Sequence, residues 1–358
     1  MRNQIPERLD YIAGMSWRLL AIAGMIAVFI FIVSQLKVIV IPFLVALLVT
    51  ALLYPLVQLL QRKGVKRGLA VAISLVIMLV VVAGLVFLVT KQVQSSYPDL
   101  KNRVEAFATN SREVLSNEPF NINSSEITSY TEEAVSYAQE NSQTLISGVT
   151  TAGSTLGHVA AGIFLGFFAV IFLLLDGKNI WRWVTNLFPR RNRKNILDAG
   201  LKGWRTLIGF VKSQVAVAGV DALGIGIGAL LLQVPLAIPI AVMVFLGSFI
   251  PVVGAIITGL IAVVIALVFN GWIAAALMLG VVLIVQLIEG HVLQPFLIGK
   301  AVKIHPLAIV LAVAIGSLLA GIPGALFAVP VVAVVNVMVS SLLRNRSNPA
   351  PYDEPVNT

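Results

Sequence analysis

The stretch Pro251-Val252-Val253-Gly254 interrupts a run of apolar residues from Ala237 to Val268, and Gly321-Ile322-Pro323-Gly324 interrupts a second run from Leu307 to Ser341. On either side of each break stand roughly 14 apolar residues, about 21 Å of helix. A straight helix over either whole run would be roughly 50 Å long, well beyond a hydrocarbon core of ~30 Å. Each run therefore kinks, tilts steeply or doubles back, and the expectation is a re-entrant helical hairpin with its tip buried in protein. Proline removes a backbone donor and clashes with the preceding turn, while glycine frees φ, so Pro251, Gly254, Pro323 and Gly324 suit tight tips. Irregular backbone at membrane depth survives only where protein or a water-filled cavity satisfies it.

Composition supports that reading. Of 358 residues, 58% are hydrophobic and only 11% charged, and mean hydropathy is +0.96. Soluble domains carry about 25% charge, so the fold class is an all-α polytopic membrane protein. No cysteine occurs, which excludes disulfides, thiolate catalysis and Cys-ligated metal. The three histidines, His158, His291 and His305, are far apart and offer no metal cluster. The net charge of +9 is expected to face anionic lipid from cytoplasmic loops rather than nucleic acid. The first apolar run is too long for a cleavable signal peptide and lacks a small-residue cleavage site.

About eight hydrophobic segments follow, read as six full spans plus two hairpins. A polar N-terminal segment with Arg2 and Arg8 precedes the spans Trp17–Gln35, Val38–Leu60 and Leu69–Thr90, which form an N-terminal scaffold over 1–90. The loop Arg62-Lys63-Gly64-Val65-Lys66-Arg67 is basic and hence cytoplasmic. Residues 91–153 carry eight acidic and four basic side chains and read as an external hydrophilic segment. Within it, Ile127, Tyr130, Ala134, Val135 and Ala138 recur at helical spacing. Ser154–Leu175 is the fourth span. It leads into residues 176–212, with nine basic and two acidic side chains, where Trp181, Trp183 and the run Pro189 to Lys194 form an interfacial belt. Ile196 to Lys212 suits an amphipathic helix lying at the surface, which closes a unit over 154–212. Ser213–Leu232 and Trp272–Leu293 are the fifth and sixth spans, and with the two broken runs they make a core over 213–345. Residues 346–358 are a polar tail.

The two broken runs share an order of features: Gly247-Ser248, a break and Gly254-Ala255 are echoed by Gly316-Ser317, a break and Gly324-Ala325. Each follows a full span. A span plus hairpin, repeated with opposite entry sides, would be an inverted repeat related by an axis in the membrane plane. Charge bias favours hairpins over full crossings, because Lys300, Lys303, Arg344 and Arg346 then all fall inside.

Between Leu207 and Ile298 the only formally charged side chains are Lys212, Asp221 and Glu289. A carboxylate near the bilayer centre costs at least ~2.5 kcal/mol on insertion scales, so it needs a partner, a proton or water. Asp221 sits mid-span among Gly219, Gly224, Gly226 and Gly228, a glycine face that admits another helix closely. Gln286 and Glu289, at i,i+3, share a face, with Gln294 and His291 nearby. Asp221, Glu289, Gln286, Ser248 and Gln294 are the candidates for a substrate or ion path. The alternative role for the two acids is structural, as hydrogen-bonded residues that hold helices together. Gln233, Asn270 and Asn336 are further amide candidates, while His291 and His305 read as helix-end residues near interfaces.

The chain resembles the AI-2E (autoinducer-2 exporter-like) family of bacterial membrane transporters over nearly its whole length. The resemblance is carried by Pro42-Phe43-Leu44 through Tyr54-Pro55-Leu56 and the basic loop after it. Further on it is carried by Val234-Pro235 and by Phe249 through Gly254. It continues through Gln286-Leu287-Ile288-Glu289-Gly290-His291-Val292-Leu293-Gln294-Pro295, His305-Pro306 and Gly321 to Pro330. It implies export of a small polar metabolite such as autoinducer-2, or Na+(Li+)/H+ antiport, at a bacterial inner membrane with both termini cytoplasmic. It also implies a homo-oligomer, a pentamer with elevator-like motion. A passive channel is a third reading. No cofactor or metal is expected. No Walker A motif occurs, so the chain itself does not hydrolyse ATP. HExxH, GxSxG and a facing Asp pair are also lacking, against an intramembrane enzyme.

With no native cysteine, a single cysteine placed at any position from 300 to 304 reports sidedness directly. It is expected to resist an impermeant thiol reagent added from outside, and efficient labelling from that side would reverse the orientation.

Overall fold

A computed structural model describes residues 35–116, 153–250, 253–293 and 306–347, with scattered positions between 14 and 28. Among the described residues all regular structure is helical, as composition requires. Most of the first span, Pro251, Gln294, Lys300, Lys303, His305 and the periodic stretch 127–138 lie outside them.

Helix α1, Lys37–Arg62, runs unbroken through Pro42 and Pro55. It ends where Gly64 takes φ +88°, with Gly64 N–H donating to Gln61 O and Val65 N–H to Leu60 O, the left-handed stop that glycine favours. Helix α2, Arg67–Ser116, is 50 residues, about 75 Å. Its apolar part ends near Thr90, but the helix continues into the hydrophilic stretch. Helix α3, Gly153–Asn186, bends at Asp176, where φ falls to −137° at the end of the apolar run. The bend leaves Leu174 O to the Arg67 guanidinium, which donates to it from Nε at 3.1 Å and Nη2 at 2.8 Å.

Helix α4, Arg190–Leu231, is one continuous helix of 42 residues. The segment Ile196–Lys212 is therefore its first half and does not lie on the surface: Ala199, Gly203, Leu207 and Val211 are buried at four-residue spacing. The amphipathic stripe expected at the surface meets protein instead. Leu207 and Val211 pack on Ala51 of α1, and Tyr54 meets Trp204 edge-on at 5.9 Å.

Both interrupted runs fold back on themselves. The first is α5, Ala237–Gly247, and α6, Val253–Asn270; α7, Trp272–Ile288, follows and ends in a π-helical turn, Glu289–Leu293. The second is α8, Pro306–Ser347, whose helix is broken at Ala320 and at Gly321, with φ +63° and ψ −144°, a conformation open in practice only to glycine. Straight helices would hold Gly247 and Thr258, or Gly316 and Ala328, well over 10 Å apart. Instead a Cβ on Gly247 would strike Thr258, and one on Gly316 would meet Ala328 and the Gly324 carbonyl. Gly254 faces Gly247, and Gly324 faces Gly316, backbone against backbone. The glycines of the sequence echo thus do the same work in both hairpins.

Six helices among the described residues are long and apolar enough to cross a membrane, α8 being one of them despite its reversal. The packing is inside-out relative to a soluble protein. Large Leu, Val, Ile and Phe side chains are exposed along these helices, while alanines fill much of the interior. Lipid removes the usual drive to bury large apolar groups, so close contact through small residues governs assembly. Two cores result. One joins α1, α2 and α3 around Leu53, Val57, Leu75 and Leu174, and the other joins α4 to α7 around Ile225, Ile240, Met278 and Val282.

Gly254→Ala and Gly324→Ala are each expected to lower stability by about 1–3 kcal/mol, the usual cost of overpacking. Gly280→Ala, with open space around it, should not. Reversible unfolding in mixed micelles distinguishes these outcomes.

Candidate functional site

Helix α4 is the ruler along which the site is assembled. Gly224 and Gly228 leave room for Val285 and Val281 of α7, and Gly226 leaves room for Ala241 of α5. Both neighbours run antiparallel to α4. In the α7 register, Asp221 stands level with Ile288 and Glu289; in the α5 register, it stands level with Ser248 at the helix end. The glycine face of the sequence is thus two faces, one for each neighbour, while Gly219 has open space beside it.

The base of the first hairpin is fixed at the other end of α4. Asn270 Nδ2 donates to Gln233 O at 3.2 Å and lies 3.4 Å from Leu232 O. The point where the hairpin returns is thereby tied to the point where it began. Gln233 and Leu236 adopt positive φ in the turn between α4 and α5. Gln92 of α2 accepts from the Ile238 N–H at 3.2 Å, satisfying one of the free donors that open α5. Helix α5 has 11 residues, about 16 Å, and α6 has 18, about 27 Å, so the shorter arm ends inside a hydrocarbon core of ~30 Å.

The second hairpin approaches α4 from the opposite end. Lys202 Nζ donates to Ser341 Oγ at 2.8 Å, and Gly203 lies against Met338 and Val334. Carried along in antiparallel register, the break at Ala320 and Gly321 comes level with the turn of α4 that holds Asp221. Opposite entry of the two hairpins is the geometry of an inverted repeat.

Asp221 is 1% exposed and Ser248 6%. The Ser248 hydroxyl lies 3.0 Å from Asp221 Oδ2 and 2.8 Å from Val244 O. Asp221 Oδ1 is buried without a hydrogen-bond partner, as is Gln286 Nε2. Glu289 is within Coulombic range of Asp221. The structure therefore brings together Asp221, Ser248 and Glu289, with Gln286 one turn before Glu289. His291 lies in the π-helical turn, exposed, its Nδ1 3.2 Å from Leu287 O. Asn336 is exposed on α8, away from this group. Pro323 and Gly324 follow the break of α8, and Gly254 opens α6.

Sequence reasoning missed Gln214. It stands two turns before Asp221 on the same face of α4, and its Nε2 donates to the Ser248 carbonyl. An amide at i−7 from a mid-span acid was a readable signal. Chemically the group can accept and release a proton, bind a cation between two carboxyls, or hydrogen-bond a small polar molecule. Among the described residues no group of three or more His, Asp or Glu could hold a metal.

Ser248→Ala and Asp221→Ala are expected not to add, with an interaction energy of about 0.5–3 kcal/mol in unfolding experiments, as for groups in direct contact. Asp221→Ala and Asn336→Ala should add.

Residues 19–344 match the family model of AI-2E family transporters. MT0215 of Mycobacterium tuberculosis (strain CDC 1551 / Oshkosh) is 37% identical over 331 residues, covering 92% of this chain and 90% of that protein. YrrI of Bacillus subtilis (strain 168) is 26% identical, covering 87% and 88%. The AI-2 transport protein TqsA of Escherichia coli (strain K12) is 22% identical, covering 86% and 88%. With a family match over nearly the whole chain and long apolar helices to span a bilayer, this multi-pass membrane protein belongs to the AI-2E family of transporters.

Proposed function

We propose that the chain is a secondary transporter that exports a small polar metabolite, an autoinducer-2-like signal molecule, through the site formed by Asp221, Ser248, Gln286 and Glu289. One observation carries this reading: a hairpin tip ends at membrane depth on a buried acid, Asp221, with a second acid, Glu289, within Coulombic range. The substrate class draws on the name of the Escherichia coli relative. Half-length helices that meet at a midplane site are the working parts of transporters with inverted repeats, and they allow an elevator-like shift of the hairpin unit against the α1–α3 scaffold. A homo-oligomer, pentameric, in a bacterial inner membrane with cytoplasmic termini completes the proposal.

Coupling to one proton suffices energetically. A charge crossing 100 mV releases about 2.3 kcal/mol, enough for a solute gradient of roughly 40-fold. The two neighbouring acids favour a second reading, Na+(Li+)/H+ antiport, in which they exchange a cation for protons.

In proteoliposomes carrying the full chain, one member of a metabolite panel, an autoinducer-2-like furanone included, should show saturable and counterflow-competent flux that Asp221→Leu reduces to background. Flux without saturation or counterflow would make the protein a channel. Sodium-dependent proton flux abolished by Glu289→Gln would establish the antiport reading instead.

A further inference from the structure

Ser248 is held at both ends by one helix. Its carbonyl, at the end of α5, accepts from Gln214 Nε2, and its hydroxyl meets Asp221 Oδ2. That hydroxyl carries one hydrogen but lies within bonding distance of two acceptors, the carboxyl oxygen at 3.0 Å and Val244 O at 2.8 Å. Both contacts become hydrogen bonds at once only when Asp221 is protonated on Oδ2. The carboxyl O–H then donates to Ser248 Oγ, and the serine O–H donates to Val244 O. When the proton leaves Oδ2 for solvent, the serine has one hydrogen for two acceptors. It must release either the acid or the last turn of α5.

We propose that Asp221 and Ser248 form a proton-operated latch on the tip of the first hairpin, with Gln214 as the positioning residue that keeps the tip docked when the latch is open. The amide of Gln214 does not titrate, so its grip is the same in both states. Residues 237–288 and 306–343, which supply α5, α6, α7 and both arms of α8, contain no Asp, Glu, His, Lys or Arg. On α4 itself the nearest charge is Lys212, more than two turns away. Among the described residues Glu289, on the π-helical turn, is the titratable group that faces Asp221. The latch is thus operated by the proton occupancy of a two-carboxyl site.

The inference rests on the reading of this site as the transport site, yet its test needs no transport. The amides of Ser248, Phe249 and Ile250 donate to Val244 O, Leu246 O and Gly247 O, so their hydrogen exchange reports whether the tip is closed. Exchange is compared, in the full chain in lipid nanodiscs, between the wild type and Asp221→Asn. The asparagine amide donates to Ser248 Oγ at every pH. Intrinsic exchange rates at the tip are the same in both proteins, so their pH dependence cancels in the ratio.

The ratio is expected near one in acid and to rise roughly fivefold in alkali, the equivalent of one lost hydrogen bond. A ratio that stays flat across pH would overturn the latch. Should Asp221→Asn fail to fold, Ser248→Ala supplies the converse: it exchanges faster than wild type in acid and converges with it in alkali. Gln214→Leu should raise exchange by a similar factor at every pH, because its grip does not titrate, and leave the pH dependence set by Asp221 in place. No rise at any pH would remove Gln214 from its positioning role. A pH-dependent ratio without solute flux would refute the transport reading and keep the latch, and the reverse result would do the opposite.

Discussion

A helix that stops inside a bilayer leaves backbone carbonyls and amides with no water to receive them, and each unsatisfied group costs several kcal/mol. The backbone at the first hairpin tip answers that constraint. At the first tip, Ser248 N–H donates to Val244 O, Ile250 N–H to Gly247 O and Gly254 N–H to Ile250 O. The Ser248 carbonyl goes to Gln214. Such a tip must stay against protein that offers polar groups at the right depth, and α4 is the helix that offers them. A polar site at mid-membrane is therefore a structural requirement of the hairpin before it is a functional asset.

Placing two hairpin arms side by side raises a second requirement, close approach. Glycine meets glycine at 247 and 254 and again at 316 and 324, and the neighbouring helices reach α4 through Gly224, Gly226 and Gly228. These contacts gain dispersion energy but few hydrogen bonds. The hydrogen bonds between elements are instead placed at ends: Asn270 at the hairpin base, Gln92 at the start of α5, Lys202 to Ser341 near the far end of α8, and Gln214 with Asp221 at the tip. Smooth apolar faces between pinned ends resist sliding weakly, whereas the pins resist it strongly. Where such a protein moves, the ends decide.

Much of this was legible in the sequence because its signals are local. A Pro-x-x-Gly sequence inside an apolar run longer than the bilayer is thick implies reversal, and the order Gly-Ser, break, Gly-Ala marked both hairpins by the residues that touch. Asp221 and Glu289 stood out because nothing else between Leu207 and Ile298 but Lys212 carries charge. The misreading of Ile196–Lys212 has a clear origin. The period of an apolar stripe reports that a face is buried but not whether lipid or protein covers it, and here α1 and α8 cover it. The i−7 spacing of Gln214 from Asp221 could be read, but its partner could not, being a backbone carbonyl 34 residues away. The continuation of α2 past Thr90 escaped for a related reason, since polarity ends a membrane span without ending a helix.

The end of α7 answers to the same bookkeeping of backbone groups. A π-helical turn widens the helix and breaks the regular i→i−4 ladder, and such turns recur at functional sites. Here it begins at Glu289, level with Asp221 in the register of α7 against α4. A regular helix through residues 289–293 would carry His291 and Val292 onto a different face. Glu289 itself is placed by the register of α7 against α4, in which Val285 takes the space at Gly224 and Val281 the space at Gly228. Where two carboxyls stand close, their separation decides whether the pair shares one proton or holds two. The glycine contacts between α4 and α7 thus govern how near the second acid comes to Asp221.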